Sequence, residues 1–252
     1  MISEKKFASG FSAFWTDCLP FLTAQAVAEL NLNGEPLTDE YRGLVKPLSS
    51  LEKSSNDVTA EAAFGLFVAS VNSGTDVLSL AEDQQLIGNI TSAAFGRVRL
   101  TRDGLGRYWK EKRHSLTTAN DEVVELAKRL ENYFAPYRRR QSLILQPQFK
   151  GCGILDACYG DILAGHTLYE LKMVDRNLRG LDLRQVMIYA ALNHESEQFD
   201  IANISILNPR RGLEYSLTLE EFADRAARQT AAELCHKITN FLQDIESVHH
   251  AS

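Results

Sequence analysis

The spacing of apolar residues predicts a mostly helical amino-terminal region. Between 7 and 30 they recur every three or four residues, and Pro20 is expected to break or kink that helix. The segment 32–56 is rich in glycine, proline and polar residues and is expected to form a loop. Two further helices are predicted over 59–71 and 78–88.

The pattern changes after a polar segment at 115–120, which has the composition of a linker. Helices are predicted over 121–137, 180–193 and 220–248, and strands over 142–149, 152–164, 167–174, 199–207 and 213–219. We therefore expect two regions, a mostly helical one at 1–115 and an α+β domain at 116–252, the latter with a mixed central sheet flanked by helices.

Composition limits the class of protein. With 252 residues and 44% hydrophobic content, the chain can bury a normal core, and it has no apolar run of about 18 residues or signal peptide. A soluble, cytoplasmic protein without a membrane segment is expected. The four cysteines lack CxxC spacing, which favours buried thiols over a zinc site or a disulfide framework.

A formal net charge of −6 argues against a general nucleic-acid coat protein, but one local stretch is strongly basic. Residues 97–113 carry seven lysines and arginines against two acidic residues, with aromatic side chains between them. Clustered cations and stacking aromatics suit a nucleic acid, although a solvated basic face has the same composition. The candidate contacts are Arg107, Trp109, Lys110 and Arg113.

Charged residues occupy a predicted hairpin at 160–172, where buried strands normally exclude them. A turn near Gly165 places Asp161 and Glu170 nearly opposite each other. Two facing carboxylates repel unless a divalent cation lies between them. Lys172 falls on the same strand face as Glu170, because side chains alternate along a strand. This convergence suits metal-assisted phosphodiester cleavage.

Asp161 followed by Glu170-Leu171-Lys172 resembles the D…(D/E)xK core of the PD-(D/E)xK nuclease superfamily, which has the restriction-endonuclease-like fold. The predicted order of helix, three strands, helix and strand over about 90 residues is similar to the common core of that superfamily. The resemblance implies a Mg²⁺ site, with Mn²⁺ as a substitute, at Asp161, Glu170 and Leu171, with Lys172 as a catalytic residue.

Gln185 and Tyr189 resemble the QxxxY signature of the exonuclease-like branch of this superfamily. Their i, i+4 spacing places both on one face of the predicted helix. The resemblance implies that Gln185 faces the metal site as part of the catalytic set and that Tyr189 supports the site or the nucleic acid.

The motif departs from the family pattern in two ways. Gly160 replaces the proline before the aspartate, and Glu170 follows Asp161 by only nine positions, which is a short separation. Asp156 is therefore a second candidate for the metal ligand, although it requires a bulge or a longer hairpin to face Glu170. An additional acidic residue from the first core helix is also considered, either Glu125 or Glu131.

Arginines near the predicted site are candidates for clamping flanking phosphates. They are Arg176, Arg179 and Arg184, together with the weaker candidates Arg138, Arg139 and Arg140 at a predicted helix end. His166 is interpreted as an exposed turn residue.

The resulting hypothesis is a Mg²⁺-dependent deoxyribonuclease, a phosphodiester hydrolase, with antiviral defence against phage suggested only by analogy with the superfamily. The alternative is a nucleic-acid-binding or assembly subunit that keeps a nuclease-like fold as a scaffold and needs a partner protein. DNA is the expected partner in both cases. A homodimer or a second protein subunit is also considered.

Overall fold

The computed structural model describes residues 1–36, 56–101 and 120–250. In its amino-terminal part the predicted helix over 7–30 is three short helices, because the chain turns at Phe11 as well as near Pro20. Phe11 has a left-handed φ of 51°, and Thr23 caps the third helix by accepting a hydrogen bond from the Ala26 amide. The elements are α1 (Glu4–Ser9), α2 (Ser12–Cys18), α3 (Ala24–Leu32) and the short strand β1 (Glu35–Pro36).

The next described part is helical, as predicted, but its helices are differently divided. They are α4 (Asn56–Ser73), α5 (Val77–Ala81) and α6 (Gln84–Thr101). Because α6 extends to Thr101, the start of the basic stretch is helical, and Arg97 pairs with Glu61 of α4 at 2.9 Å. The candidates Arg107, Trp109, Lys110 and Arg113 lie outside the described residues.

The carboxy-terminal part contains five of the six strands of the main sheet and four helices. Its elements are α7 (Asn120–Arg139), β2 (Leu143–Leu145), β3 (Gln148–Phe149), β4 (Cys158–Tyr159), β5 (Ile162–Ala164), β6 (Thr167–Leu171), α8 (Gly180–Ser196), β7 (Asn203–Asn208), β8 (Leu213–Thr218), α9 (Leu219–Ala227) and α10 (Ala231–His250). The six-stranded sheet has the order β1-β8-β7-β6-β5-β2, while β3 and β4 form a separate pair. Only the β6–β7 pairing is parallel among the described strands, so the sheet is mixed and the α+β class is confirmed.

Three predicted elements are interrupted. The strand predicted over 142–149 is divided into β2 and β3, which belong to different sheets, and Gln146 between them has a left-handed φ of 50°. The strand predicted over 152–164 is replaced by a loop, the short β4 and then β5, because Gly153 has a φ of 53° and packs against the backbone at Leu242 where a Cβ would have no room. The helix predicted over 220–248 is divided into α9 and α10. Arg228 ends α9 with a left-handed φ of 54°, and Thr230 begins α10 by bonding to Glu233.

Helices cover both faces of the sheet, and each face has its own hydrophobic cluster. Alternation along β6 directs Leu168 into the cluster with α1–α3 and α8–α10, and Tyr169 into the cluster with α4–α7. Residues on both sides of the predicted boundary at 115/116 therefore share each cluster. The predicted boundary itself lies outside the described residues.

None of the helices in the described ranges has the length and apolar character required to cross a membrane. All four cysteines are buried and free. Burial raises the pKa of the Cys18, Cys158 and Cys235 thiols to about 12, which makes them poor nucleophiles and metal ligands.

Candidate active site

The β5–β6 hairpin positions the two predicted carboxylates. Its register pairs Ile162 with Tyr169, and the next step along the same register brings Asp161 opposite Glu170. The chain turns at Gly165, whose φ is 59°, and His166 is exposed in this turn. The short separation of the two carboxylates in sequence is therefore the result of a tight hairpin, and no bulge is needed.

Glu170 and Lys172 lie on the face of the sheet that α8 covers. Glu170 is only 4% exposed, and the Lys172 Nζ donates to its Oε1 at 2.6 Å. The same Nζ donates to Gln185 Oε1 at 2.9 Å, and Gln185 Nε2 donates to the Tyr189 hydroxyl at 2.9 Å. The i, i+4 pair of α8 is thus joined to the strand residues by one continuous chain of hydrogen bonds.

The Asp161 carboxyl group is in an environment that disfavours its charge. Its Oδ2 accepts a hydrogen bond from the Leu171 amide at 2.7 Å. Burial, and then the negative charge of Glu170, raise the pKa of Asp161 to about 8, although the Leu171 amide, Lys172 and Lys5 oppose the shift. The charge of Glu170 thus disfavours ionisation of Asp161, as expected for neighbouring carboxyl groups.

Lys172 remains a cation in this setting. Burial acts to lower its pKa, but the charge and hydrogen bond of Glu170, followed by the charges of Asp161 and Asp182, outweigh burial and raise the pKa. The Asp182 carboxylate lies 4.0 Å from Lys172 Nζ. Burial and the charge of Glu170 also raise the pKa of Tyr189 well above its usual value, so this hydroxyl stays protonated.

The backbone after β6 is held by side chains from the end of β7 and from the β7–β8 connection. Arg210, which is fully buried and paired with Glu122, donates from Nε to the Met173 carbonyl at 3.0 Å. Asn208 Nδ2 donates to the Val174 carbonyl at 2.8 Å. These contacts fix the residues directly after Lys172 and so limit the positions that its side chain can reach.

The three arginines predicted to clamp phosphates have different environments. Arg176 forms two hydrogen bonds to the buried Asp182, at 2.7 and 2.8 Å, so its guanidinium is engaged in an ion pair in this structure. Arg184 lies over the Trp15 ring, 5.6 Å from its centroid, and its buried Nε has no hydrogen-bond partner within the described part of the chain. Arg179 is exposed at the start of α8.

The alternative acidic candidates lie elsewhere. The Asp156 amide donates to the Ile2 carbonyl in the loop before β4, and the hairpin register places Asp161, not Asp156, opposite Glu170. Glu131 accepts hydrogen bonds from Ser70 and from the Val77 amide, which makes it a structural residue between helices.

Glu125 pairs with Arg129 at 2.9 Å on α7. Arg138 of the same helix donates to the Ser70 carbonyl at 2.9 Å. Neither Glu125 nor Glu131 is the additional acidic residue of the site. Arg139 and Arg140 follow directly at the end of α7, where the helix dipole favours cations.

The position of the first turn of α1 beside the site was not predicted from the sequence. The Ile2 backbone pairs with the 154–156 loop, with its amide donating to the Ile154 carbonyl at 2.8 Å, which brings α1 beside the hairpin. The positive charge of Lys5 reaches Asp161, and the negative charge of Glu4 acts on both Cys158 and Tyr189. No local pattern indicates this proximity, because about 155 residues separate Lys5 from Asp161.

The donor set fits Mg²⁺. Asp161 and Glu170 each use one carboxylate oxygen in the hydrogen bonds described above, and the main-chain carbonyl of Leu171 lies between Glu170 and Lys172 in sequence. Mg²⁺ binds through one or two carboxylates and keeps several waters. Within 1–36, 56–101 and 120–250 no group of three or more His, Cys, Asp or Glu side chains could hold a metal ion, so a fully protein-ligated site is not formed by these residues.

Comparisons with known proteins gave no match, whether to a protein-family model, a curated protein or a solved structure. The function is therefore inferred from the geometry of the site itself.

Proposed function

We propose that the chain is a Mg²⁺-dependent deoxyribonuclease of the PD-(D/E)xK type. The observation that supports this most is the facing pair Asp161 and Glu170, with Lys172 bonded to the second carboxylate. A sheet has no structural use for two facing carboxylates, of which one is buried and the other has a pKa raised to about 8. A divalent cation would convert this repulsion into binding.

Each residue of the site would have its own role in phosphodiester hydrolysis. Mg²⁺ bound at Asp161, Glu170 and the Leu171 carbonyl would acidify a bound water and neutralise charge on the scissile phosphate. Lys172 would donate a hydrogen bond to the attacking oxygen or to the phosphate oxygen on which charge develops. Gln185 holds the Lys172 ammonium in place, and its own orientation is fixed by the Tyr189 hydroxyl.

Substrate binding is assigned to cations at the edge of the site. Lys5 and Arg179 are exposed, and the charge of Lys5 reaches the metal-binding carboxylate. Phosphates flanking the scissile bond would contact such residues. The alternative, a nucleic-acid-binding subunit with a nuclease-like scaffold, predicts DNA binding without hydrolysis.

A cleavage assay distinguishes the two functions. The purified chain is incubated with supercoiled plasmid and with linear DNA in Mg²⁺, in Mn²⁺ and in EDTA. Glu170→Gln keeps the size of the side chain but removes its charge, and cleavage should fall by about 100-fold or more. Asp200→Asn is the matched control, since Asp200 is an exposed carboxylate that pairs with His166 at 2.9 Å.

The expected result is cleavage that needs the metal, is lost in Glu170→Gln and is unchanged in Asp200→Asn. Equal residual activity in both variants would assign the cleavage to a contaminant. DNA binding without cleavage in any metal would favour the scaffold function.

A further inference from the structure

Two histidines on different helices bring their Nε2 atoms close together. His194 lies in the last turn of α8, and His236 lies near the start of α10. Their Nε2 atoms are 3.4 Å apart, and the rings are nearly perpendicular, at 83°. His194 is partly buried and His236 is exposed, so the pair is open to solvent on one side.

The separation of the two nitrogens is at the long end for a hydrogen bond and matches that of two ligands of one metal ion. An N–H···O or similar hydrogen bond normally spans about 2.7–3.2 Å. Two imidazole nitrogens that each lie about 2.0–2.1 Å from a tetrahedral ion are roughly 3.3–3.4 Å apart. The observed distance of 3.4 Å between the two Nε2 atoms agrees with this separation.

The surroundings are favourable to a cation. The carboxyl end of α8 carries partial negative charge from the helix dipole, and His194 is in its last turn. The exposed Glu195 and Glu197 flank it closely in sequence. The lysine next to His236 in sequence, Lys237, is directed to Asp17, whose side chain it contacts at 2.9 Å.

We propose that His194 and His236 form a binding site for a borderline-soft divalent cation of the Zn²⁺ type, with water in the remaining coordination positions. The site is separate from the oxygen-donor site at Asp161 and Glu170, because imidazole nitrogen suits Zn²⁺ and carboxylate oxygen suits Mg²⁺. A metal ion here would cross-link α8 to α10. It would thereby stabilise the helix that also carries Gln185 and Tyr189.

Zn²⁺ titration of the full chain by calorimetry tests this site, with Glu170→Gln as the background to remove the carboxylate site. His194→Gln and His236→Gln should each weaken Zn²⁺ binding by about tenfold or more. His166→Gln is the matched control, because His166 is an exposed histidine in the β5–β6 turn. Replacing His249 and His250 together removes a pair that is adjacent in sequence.

Tetrahedral Co²⁺ absorption in the visible range gives a second readout, and the melting temperature gives a third. Zn²⁺ should raise the melting temperature of the parent and of the two controls, but not that of His194→Gln or His236→Gln. Circular dichroism verifies that each variant is folded. Zn²⁺ binding that is equal in all variants, or absent at millimolar Zn²⁺, would overturn the proposal. Neither outcome bears on DNA cleavage, which depends on the other site.

Discussion

Replacing Asp161 by Asn in the metal-free protein should change how stability depends on pH. The substitution removes the carboxyl group whose pKa is raised to about 8 by burial and by Glu170, and it keeps the size of the side chain. The amide oxygen of the introduced asparagine can still accept a hydrogen bond from the Leu171 amide. The effect on stability is therefore mainly electrostatic.

The sign and size of this change in the pH dependence of stability follow from proton linkage. The folded protein holds a proton on Asp161 up to about pH 8, whereas the unfolded chain releases it near 3.8. The stabilisation from the protonated Asp161 carboxyl group is therefore fully present below about pH 4. It decreases as the pH rises from there and is lost once the pH has passed about 8. Each pH unit within this interval should cost the wild type about 1.4 kcal/mol relative to Asp161→Asn, or roughly 2–3 kcal/mol between about pH 5 and 7.

Urea denaturation at several pH values between about 5 and 8, in EDTA and followed by circular dichroism, measures this difference. Asp156→Asn is the control, since it removes the rival carboxylate from the neighbouring loop and should keep the wild-type slope. Mg²⁺ should stabilise the wild type more at the alkaline end of this interval than at the acidic end, because metal and proton compete for the carboxylate. Parallel curves for Asp161→Asn and the wild type over this interval would refute the raised pKa of Asp161.

Three other substitutions test neighbouring side chains. Lys172→Met should lower the cleavage rate by about 100-fold or more while calorimetry finds Mg²⁺ affinity nearly unchanged, and a large loss of affinity would contradict the role in charge stabilisation. Lys5→Gln should weaken DNA binding and reduce its log-log salt slope by about one unit, whereas Lys6→Gln, at the adjacent and also exposed position, should not. Arg176→Ala should cost about 2–3 kcal/mol in urea denaturation, because Asp182 stays buried without its main partner. Little loss of stability with strongly weakened DNA binding would instead support the phosphate clamp predicted from sequence.

The centre of the site could be predicted because its residues are close in sequence. Asp161, Glu170 and Lys172 belong to one hairpin, and strand alternation with a tight turn fixes their relative positions. Gln185 and Tyr189 follow on the next helix with i, i+4 spacing. Local periodicity was therefore sufficient to bring the three hairpin residues together, whereas the position of Gln185 and Tyr189 beside them was implied by the resemblance to the nuclease superfamily.

The remaining contributions depend on tertiary packing that no local pattern encodes. Lys5 reaches Asp161 only because the Ile2 backbone pairs with the 154–156 loop. Arg176 was predicted as a phosphate clamp because its charge is visible in the sequence, but the burial of its partner Asp182 is not. The division between α9 and α10 did have a local signal, a Thr-x-x-Glu capping pattern at Thr230.

The free-energy cost of placing two carboxyl groups opposite each other is itself an argument for function. Leucine or valine at Asp161 and Glu170 would satisfy a strand covered by a helix without charge repulsion, and replacing buried ion pairs by apolar residues is often neutral or stabilising. Lys172 compensates only part of this cost, since it bonds to Glu170 while the pKa of Asp161 remains at about 8. Without a cation Asp161 is therefore largely protonated at neutral pH. A partly buried carboxyl group whose pKa is raised in this way by burial and a charged neighbour is typical of sites that bind a cation or transfer a proton, and a cation bound between the two carboxyl groups would favour the ionised form of Asp161.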